Sequence, residues 1–312
     1  MQIGLVGKPS SGKSSFFKAA TLIDVPIADY PFTTIQPNTG IGYVSVDCVC
    51  QKFKVNCNPK NSICVDGKRM IPIKIIDVAG LVPDAHLGRG MGNQFLDDLR
   101  QADCLIHIVD VSGTTDSEGK PTKDHDPAED IKFLEKEIDF WFMKIVEKGL
   151  EKYRKKKQFS NTDVVEILSE QLSGLGIQRT HIEKCLESFS PDTEEFSSEL
   201  RKISKPIIIA ANKIDLPKSH ENFERLKKEF PNLKIIPTSA ASEIALNTAK
   251  EKGLIEYKEN KIKIIGNLDE KQKKGLEFIE KNIIEKYGST GIKECLNTCV
   301  FEILEYIPVY PV

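Results

Sequence analysis

Short apolar runs alternate with turn-forming and helix-forming segments along the first third of the chain. Residues 3–6 form an apolar run that predicts a strand, and helix-compatible residues 15–20 follow it after a turn that contains two glycines. Alternation predicts neighbouring strands at 42–46 and 70–76, and a mostly apolar run predicts a buried strand at 104–111. This order indicates an α/β fold with a central, mostly parallel sheet.

Helical periodicity replaces the strand pattern between residues 126 and 203. Asp126-Pro127-Ala128-Glu129 starts a helix with a capping aspartate and a proline at the first helical position. Apolar residues then repeat at a spacing of three and four, which predicts a coiled-coil-like helical insertion. We therefore divide the α/β domain into a first part, 1–125, and a second part, 204–305, on either side of the insertion 126–203.

Composition and charge limit the classes of partner. The 312 residues are 40% hydrophobic and 29% charged, which is enough apolar material for one sizeable α/β core and a second module. No basic and apolar leader and no run of about eighteen apolar residues occurs, so we expect a cytoplasmic protein without a membrane partner. The net charge of -2 does not attract nucleic acid overall. DNA is not expected as a partner, and an RNA contact requires a local basic patch.

The turn after the first predicted strand carries the first chemical motif. Its sequence matches G-x-x-x-x-G-K-[ST], in which glycines let successive backbone N–H groups surround a phosphate at a helix N-terminus. Lys13 then supplies a positive charge for the terminal phosphates, and Ser14 offers a hydroxyl to Mg²⁺. The candidate nucleotide-binding residues of this phosphate loop are Gly7, Lys8, Pro9, Ser10, Ser11, Gly12, Lys13, Ser14 and Ser15.

Two further segments suit residues that respond to a γ-phosphate. The proline-rich loop 29–40 contains Thr34, whose hydroxyl is our candidate for a second Mg²⁺ contact, with Thr33 as the alternative. Asp77 and Gly80 form a D-x-x-G motif at the end of a strand, where the carboxylate can hold Mg²⁺ and the Gly80 N–H can contact the phosphate. Lys13, Thr34 and Gly80 are therefore the candidate catalytic residues, and Ser14, Thr34 and Asp77 are the candidate metal ligands.

The following residue, Leu81, is aliphatic and cannot orient an attacking water. We therefore expect slow hydrolysis until a partner supplies the missing group.

The second part of the α/β domain contains a motif for the base. Asn212-Lys213-Ile214-Asp215 follows an apolar strand, and the Asp215 carboxylate matches the N1–H and 2-amino donors of guanine. Asn212 is expected to brace the loop, and the stem of Lys213 is expected to cover the base plane. A strand predicted at 233–237 leads into Ser239-Ala240-Ala241, whose backbone N–H groups suit the guanine carbonyl.

Four of the eight cysteines lie close together between the second and third predicted strands. Cys48, Cys50, Cys57 and Cys64 have the spacing C-x-C-x₆-C-x₆-C, which supplies enough thiols for Zn²⁺ but lacks the paired C-x₂-C of zinc knuckles. Reduced thiols or metal ligation are favoured in the cytosol, with proteins of hyperthermophiles as the exception. Zn²⁺ binding, a disulfide and small buried side chains are all open at this point.

These motifs in this order resemble the translation-factor-related GTPases of the Obg/YchF family, most closely its archaeal YchF-like branch. The resemblance spans nearly the whole chain and implies a Ras-like G domain of the P-loop NTPase fold. It also implies that 306–312, which we predict as a strand, begins a truncated C-terminal domain of the TGS type. The segments that carry the resemblance are the phosphate loop with Pro9, residues 31–38, 77–82 and 88–92, the helical insertion and residues 288–291.

The resemblance implies slow hydrolysis of a nucleoside triphosphate and association with ribosomes. The YchF branch often carries a glutamate version of the base motif and prefers ATP, whereas Asp215 here is of the guanine type and favours GTP and GDP. We therefore predict a Mg²⁺-dependent GTPase with the ribosome or ribosomal RNA as partner. The alternatives are an ATPase and a nucleotide-gated RNA-binding module, for which the basic cluster 154–157 is the sequence support.

Overall fold

One mixed sheet forms the centre of the protein. The structure is a computed structural model that describes residues 1–21, 38–78, 99–154 and 161–310. Strands β1 to β7 form the central sheet, in the order β2-β4-β1-β5-β6-β7 with β3 beside β4. The strands are β1 (Gln2–Val6), β2 (Thr39–Asp47), β3 (Ile63–Val65), β4 (Lys68–Asp77), β5 (Cys104–Asp110), β6 (Ile207–Asn212), β7 (Ile235–Pro237), β8 (Ile255–Lys258) and β9 (Lys261–Ile264).

The parallel part of the sheet aligns the strand ends that carry the motifs. Strands β4, β1, β5, β6 and β7 run parallel, whereas β2 and β3 pair with β4 in the antiparallel direction. The carboxyl ends of parallel strands meet at one edge, where α/β sheets hold their ligands. The predicted α/β fold with a mostly parallel sheet is therefore confirmed, with the antiparallel β2 and β3 as an added edge.

Helices cover both faces of the sheet. They are α1 (Lys13–Thr21), α2 (Val49–Phe53), α3 (Pro127–Arg154), α4 (Asn161–Leu172), α5 (Arg179–Leu186), α6 (Glu194–Ser204), α7 (Ser219–Glu229), α8 (Ala240–Glu251), α9 (Glu270–Ile279) and α10 (Ile292–Asn297). Helix α9 continues through a π-helical turn, Glu280–Ile284, to Tyr287, and α10 continues through a second π-helical turn, Thr298–Ile303.

Alternating side chains of β5 divide the core into two layers. Ile106 and Ile108 point to the layer that contains α1, α8 and α10, whereas Leu105 and Val109 point to the layer that contains the helices between β5 and β6. Successive side chains of a strand face opposite sides, so a strand buried on both faces must be apolar at nearly every position. This explains the mostly apolar run that predicted β5.

Helices α3 to α6 occupy the stretch between β5 and β6, where the helical periodicity predicts them. Their apolar side chains, including Ile131, Phe142 and Leu168, belong to the same continuous core cluster as Leu105 and Val109 of the sheet. The buried Arg201 of α6 donates a 2.7 Å hydrogen bond to a carboxylate oxygen of α3. These helices therefore pack onto the sheet as well as onto one another.

Two strand predictions near the C-terminus require correction. The segment predicted as a strand at 306–312 forms no strand over its described residues, 306–310. A strand needs an edge to pair with, and this segment instead attaches through its last described side chain, since the Tyr310 hydroxyl donates to the Asp47 carbonyl at 3.2 Å. Strand β7 begins at Ile235, not at residue 233, and the β8-β9 hairpin was not predicted.

Candidate nucleotide-binding site

The turn between β1 and α1 folds so tightly that two of its positions exclude a side chain. A Cβ atom at Gly7 would lie 2.6 Å from the carbonyl oxygen of Ile108. Gly12 has a φ of 94°, and a Cβ there would overlap the side-chain amide of Asn212. Glycine is therefore required at both ends of the loop, because the backbone approaches β5 at one end and the Asn212 side chain at the other.

Three predicted ligand residues converge at the carboxyl edge of the sheet. The Lys13 ammonium forms an ion pair with the Asp77 carboxylate, and the Ser14 hydroxyl lies 3.5 Å from the other oxygen of that carboxylate. Lys13 and Ser14 start α1, whereas Asp77 ends β4, and β4 lies directly beside β1. A hydroxyl and a carboxylate are hard oxygen donors of the kind that Mg²⁺ prefers, so this donor set fits Mg²⁺.

Lys8, also predicted in the phosphate loop, has its side chain turned into the protein. Its ammonium donates to the carbonyl oxygen of Thr115 at 2.7 Å and lies 2.8 Å from the Asp130 carboxylate of α3, and both charged side chains are about 95% or more buried. The other oxygen of Asp130 lies 2.8 Å from Nε2 of His125. Only the main chain of Lys8 is therefore available to a phosphate.

Asn212, at the end of β6, ties the phosphate loop to a second loop. Its Nδ2 donates to the carbonyl oxygen of Ser11 at 2.9 Å, and its Oδ1 accepts from the backbone N–H of Ala240 at 3.2 Å. Both ends of one buried amide are thus used, and they hold two loops that are far apart in sequence. Since the amide is planar, this fixes the distance between the phosphate loop and the start of α8.

Asp215 lies at the second loop and is positioned by Ser239. The Ser239 hydroxyl donates to an Asp215 carboxylate oxygen at 2.7 Å, and Ser239 also caps α8 by accepting from the N–H of Ser242 at 3.2 Å. The Asp215 side chain is half-buried, whereas Ser239 and Ala240 are buried and Ala241 is exposed. Ser239 therefore holds one carboxylate oxygen of Asp215. This hydrogen bond also orients the other oxygen, which does not contact Ser239.

Lys213 is held by a buried acid that the sequence did not reveal as part of the site. Its ammonium lies 2.8 Å from a carboxylate oxygen of Asp110, which is fully buried at the end of β5. Burial by itself raises the pKa of Asp110, but hydrogen bonds from Lys213, Ser112 and Thr115 outweigh it and the pKa is lowered. Asp110 is therefore a charged anchor that fixes the stem of Lys213 beside the base motif.

Thr290 and Glu243, which the sequence analysis did not assign to the site, contact the loop that contains Ser239. The carbonyl oxygen of Thr290 accepts from the N–H of Ser239 at 3.0 Å, and the Thr290 hydroxyl donates to the buried carboxylate of Glu243 at 2.5 Å. The Tyr257 hydroxyl lies 3.3 Å from the same carboxylate, and burial followed by the Glu243 charge raises the pKa of Tyr257. No local pattern marks these residues, because their partners come from α8, β8 and the turn before α10.

The remaining predicted residues are half-buried, exposed or undescribed. Pro9 is half-buried, and Ser14 and Ser15 are exposed in the first turn of α1. Ser10 is exposed in the loop before α1 and adopts a left-handed conformation with a φ of 62°. Thr34 and Gly80 lie outside the described residues, and so does Leu81.

The described residues define a class of protein. A glycine turn between β1 and α1, an acid at the end of the adjacent strand and an Asn-Lys-x-Asp sequence at the end of β6 share one edge of the sheet. This is the arrangement of a P-loop nucleotide-binding protein.

Comparison with known proteins gives the family. Residues 2–148 match the family described as 50S ribosome-binding GTPase, and residues 210–312 match the Obg-like GTPase YGR210-like, G4 motif-containing domain. An uncharacterised GTP-binding protein of Methanocaldococcus jannaschii is 50% identical over 320 residues, which cover 99% of this chain and 81% of the relative. The chain therefore belongs to the Obg/YchF-type family of GTP-binding proteins.

Two further relatives agree with this assignment. The protein named ribosome-binding ATPase YchF of Bacillus subtilis is 31% identical over 272 residues, covering 80% of this chain and 68% of the relative. The crystal structure of a GTP-binding protein from Pyrococcus horikoshii has a TM-score of 0.76 at 37% identity, covering 100% of this chain and 81% of that chain. Among the described residues, no helix has both the length and the apolar composition needed to span a membrane.

Proposed function

We propose that this GTP-binding protein hydrolyses GTP to GDP and phosphate with Mg²⁺ as cofactor. The observation that carries the proposal is the double hydrogen bond of Asn212 to Ser11 and Ala240. It sets the spacing between the loop that would hold the phosphates and the loop that bears Asp215. Catalysis would then rest on positioning and electrostatic stabilisation, which dominate phosphoryl transfer.

The chain's own residues suit distinct roles at the phosphate end. Ser14 and Asp77 would hold Mg²⁺, which when bound neutralises charge on the phosphate oxygens. The Lys13 ammonium now pairs with Asp77 and would turn to the terminal phosphates, and backbone N–H groups of the loop 7–12 would surround them. Thr34 and Gly80 remain our candidates for contacts to the γ-phosphate.

At the base end, Asp215 is the group that supports guanine over adenine. A carboxylate offers two acceptors to the N1–H and 2-amino donors of guanine, whereas adenine lacks this donor pair and would leave a half-buried charge unpaired. The hydrogen bond from Ser239 orients the carboxylate before the base arrives. The proposal therefore predicts binding of GDP in strong preference to ADP.

The test is calorimetric titration with GDP and ADP in the presence of Mg²⁺. We expect GDP to bind about a hundredfold more tightly than ADP, since leaving the half-buried carboxylate unpaired costs about 3 kcal/mol. In Asp215→Asn the side chain offers one acceptor and one donor, which suits xanthine, whose 2-position is a carbonyl. The variant should therefore lose binding of GDP and gain binding of xanthosine diphosphate (XDP).

Ser239→Ala is the matched control, since it removes the hydrogen bond to Asp215 but keeps the carboxylate. This variant should weaken GDP binding moderately without favouring XDP. Unchanged GDP binding by Asp215→Asn, or ADP binding as tight as GDP binding, would remove Asp215 from base recognition and favour the ATPase alternative.

A role at the ribosome in the cytoplasm is the second part of the proposal. It is supported by the printed name of the Bacillus subtilis relative and by the description of the family that residues 2–148 match. An aliphatic Leu81 cannot orient water, so hydrolysis by the isolated protein would be slow and a ribosomal partner would accelerate it.

Ribosome pelleting tests this part of the proposal. Charge reversal at residues 154–157 should weaken pelleting of the GTP-loaded protein if the cluster contacts the RNA backbone, and the loss should depend on salt. Charge reversal at the exposed Lys271, Lys273 and Lys274 is the matched control. If the wild-type protein neither pellets with ribosomes nor gains GTPase activity from them, the ribosomal role is wrong.

A further inference from the structure

Four cysteine side chains meet outside the nucleotide site. They lie in the segment between β2 and β4, residues 48–67, which we call the cysteine excursion. The sulfur atoms of Cys48 and Cys57 are 3.5 Å apart, those of Cys50 and Cys64 are 3.7 Å apart, and all four lie within 4.8 Å of one another. None of the four is in a disulfide.

Four separate positions of the excursion supply these thiols. Cys48 is the N-cap residue of α2 and Cys50 lies in the first turn of that helix, whereas Cys64 is the central residue of β3. Cys57 lies in the loop between them. Convergence of side chains from a helix start, a loop and a strand is unlike the chance clustering of residues along one element. The earlier alternative of small buried side chains is wrong for three of the four, because only Cys48 is buried.

The cysteine excursion has no apolar core of its own. Every residue from 49 to 67 is at least partly exposed, and the apolar side chains of Phe53 and Val55 are 67% and 58% exposed. A segment of this size cannot bury enough apolar surface to offset the entropy lost on ordering, so such segments are held by disulfides or metal ions. The four thiols are the groups in the excursion that can provide this link.

A half-buried positive charge, the Arg69 guanidinium, faces the sulfur atoms. One guanidinium nitrogen of Arg69 lies 2.7 Å from the Cys57 sulfur and 3.2 Å from the Cys48 sulfur, and another donates to the Ser62 hydroxyl at 2.9 Å. A neutral thiol is a weak acceptor, whereas a thiolate is a strong one. An arginine in this position suits a cluster of thiolates whose negative charge needs compensation.

We propose that Cys48, Cys50, Cys57 and Cys64 bind one Zn²⁺ as a structural site. Zinc–sulfur bonds of about 2.3 Å in a tetrahedron place the sulfur atoms about 3.8 Å apart. This is close to the Cys48–Cys57 and Cys50–Cys64 separations. Four protein ligands leave no open coordination position, so the ion holds the excursion and performs no catalysis. Each thiol releases its proton to solvent on binding, and no oxidation state changes. This inference does not depend on the proposed GTPase activity.

The test uses the full chain, reduced, treated with a chelator and then titrated with Zn²⁺ against a chromophoric competitor. We expect one Zn²⁺ per chain with a dissociation constant of about 1 nM or tighter, as for structural sites. Co²⁺ should give the thiolate charge-transfer absorption and the intense bands of tetrahedral coordination. This spectrum needs no variant and therefore does not depend on whether a variant folds.

Cys64→Ser should lose tight Zn²⁺ binding, and protease cleavage within residues 48–67 should increase at least about tenfold because the local link is gone. Cys185→Ser, which changes a buried cysteine of α5, is the matched control and should keep one Zn²⁺. GDP affinity should be unchanged in both variants, which shows that the remaining fold is intact.

A substitution of Arg69 tests whether its positive charge compensates the negative charge of the four thiolates. Arg69→Met should weaken Zn²⁺ affinity about 10- to 100-fold while keeping the tetrahedral Co²⁺ spectrum, because groups around the ligands tune affinity without changing the ligand set. Micromolar binding, more than one Zn²⁺ per chain, or Zn²⁺ uptake by Cys64→Ser equal to that of the wild type would each overturn the proposal. Failure of the reduced protein to bind Zn²⁺ would also overturn it.

Discussion

Charged side chains beneath the phosphate loop stabilise the fold. Lys8 occupies a variable position of the phosphate-loop motif, yet its ammonium pairs with Asp130 deep in the protein. Removal of one partner from such a pair leaves a buried charge and destabilises by about 3–5 kcal/mol. The spacing of the motif cannot reveal this role, because Asp130 lies far along the chain, in α3.

His107 of β5 is buried in its neutral form and makes the fold sensitive to acid. Burial, followed by the nearby positive charge of Lys8, lowers the pKa of His107 to about 3, so the imidazole is neutral in the folded protein. The unfolded chain protonates this residue near its ordinary pKa of about 6.5. The contribution of the neutral His107 to the free energy of unfolding is therefore fully present above about pH 6.5. It is lost as the pH falls from there towards 3.

His107→Leu should remove this part of the acid sensitivity. The free energy of unfolding is measured with urea at about pH 7.5 and about pH 4.5. The decrease between these two pH values should be smaller in the variant than in the wild type by a few kcal/mol. Nδ1 of His107 has no hydrogen-bond partner among the described residues, so the variant should be no less stable at the higher pH. The exposed His220→Gln is the control for loss of a histidine. An unchanged pH difference would contradict the buried neutral imidazole.

The turn between α9 and α10 decides the position of the base-binding loop at the scale of elements. The N–H of Ser239 donates to Thr290 in this turn, and a Cβ at the neighbouring Gly291 would overlap the carbonyl oxygen of Pro237. Gly291 also has a φ of 80°, where only glycine is unstrained. The turn therefore presses against the loop Thr238–Ser239 that follows β7, and its glycine permits the close approach.

Gly291→Ala should destabilise the protein by about 2–4 kcal/mol and weaken GDP binding about tenfold or more, because the displaced turn shifts Ser239 and Asp215. Gly288→Ala is a matched control with almost the same φ, 83°, but with no atom within 4 Å of the added Cβ. It should cost only the conformational strain, about 1–2 kcal/mol, and leave GDP affinity unchanged. Both variants need calorimetric titration and thermal unfolding. Equal effects on GDP affinity would show that the turn does not position the loop.

At the scale of the whole molecule, a continuous core joins the sheet to helices α3–α6. Residues of β5 and β6 and residues of these helices share one cluster of buried side chains. The division of the chain into a G domain, 1–125 and 204–305, and a helical insertion, 126–203, stays a prediction.

The single tryptophan makes this testable, since Trp141 lies in α3 and is 6% exposed. We expect Trp141 fluorescence and far-UV circular dichroism to give the same midpoint on heating, because a shared core unfolds cooperatively. GDP with Mg²⁺ should raise both midpoints equally, because a ligand that binds the folded state stabilises the whole cooperative unit. Two separate transitions would instead show that the insertion folds on its own.

The sequence by itself determined the elements of the nucleotide site and the α/β class. The phosphate loop, Asp77 and the Asn212–Asp215 motif are contiguous segments whose turn, strand end and helix start follow from local propensity and spacing. The meeting of these motifs at one edge of the sheet could also be predicted, because parallel strands bring their carboxyl ends to one edge.

Only the tertiary structure decided which distant side chains complete that framework. Asp110 behind Lys213, Glu243 behind Thr290 and Asp130 behind Lys8 are single polar residues whose partners come from other elements, and such pairs leave no periodic signal. The four cysteines show the same limit, since their spacing left Zn²⁺, a disulfide and burial open. Packing of α2, β3 and β4 brought the sulfur atoms together beside Arg69, because contacts between elements depend on three-dimensional packing and not on sequence order.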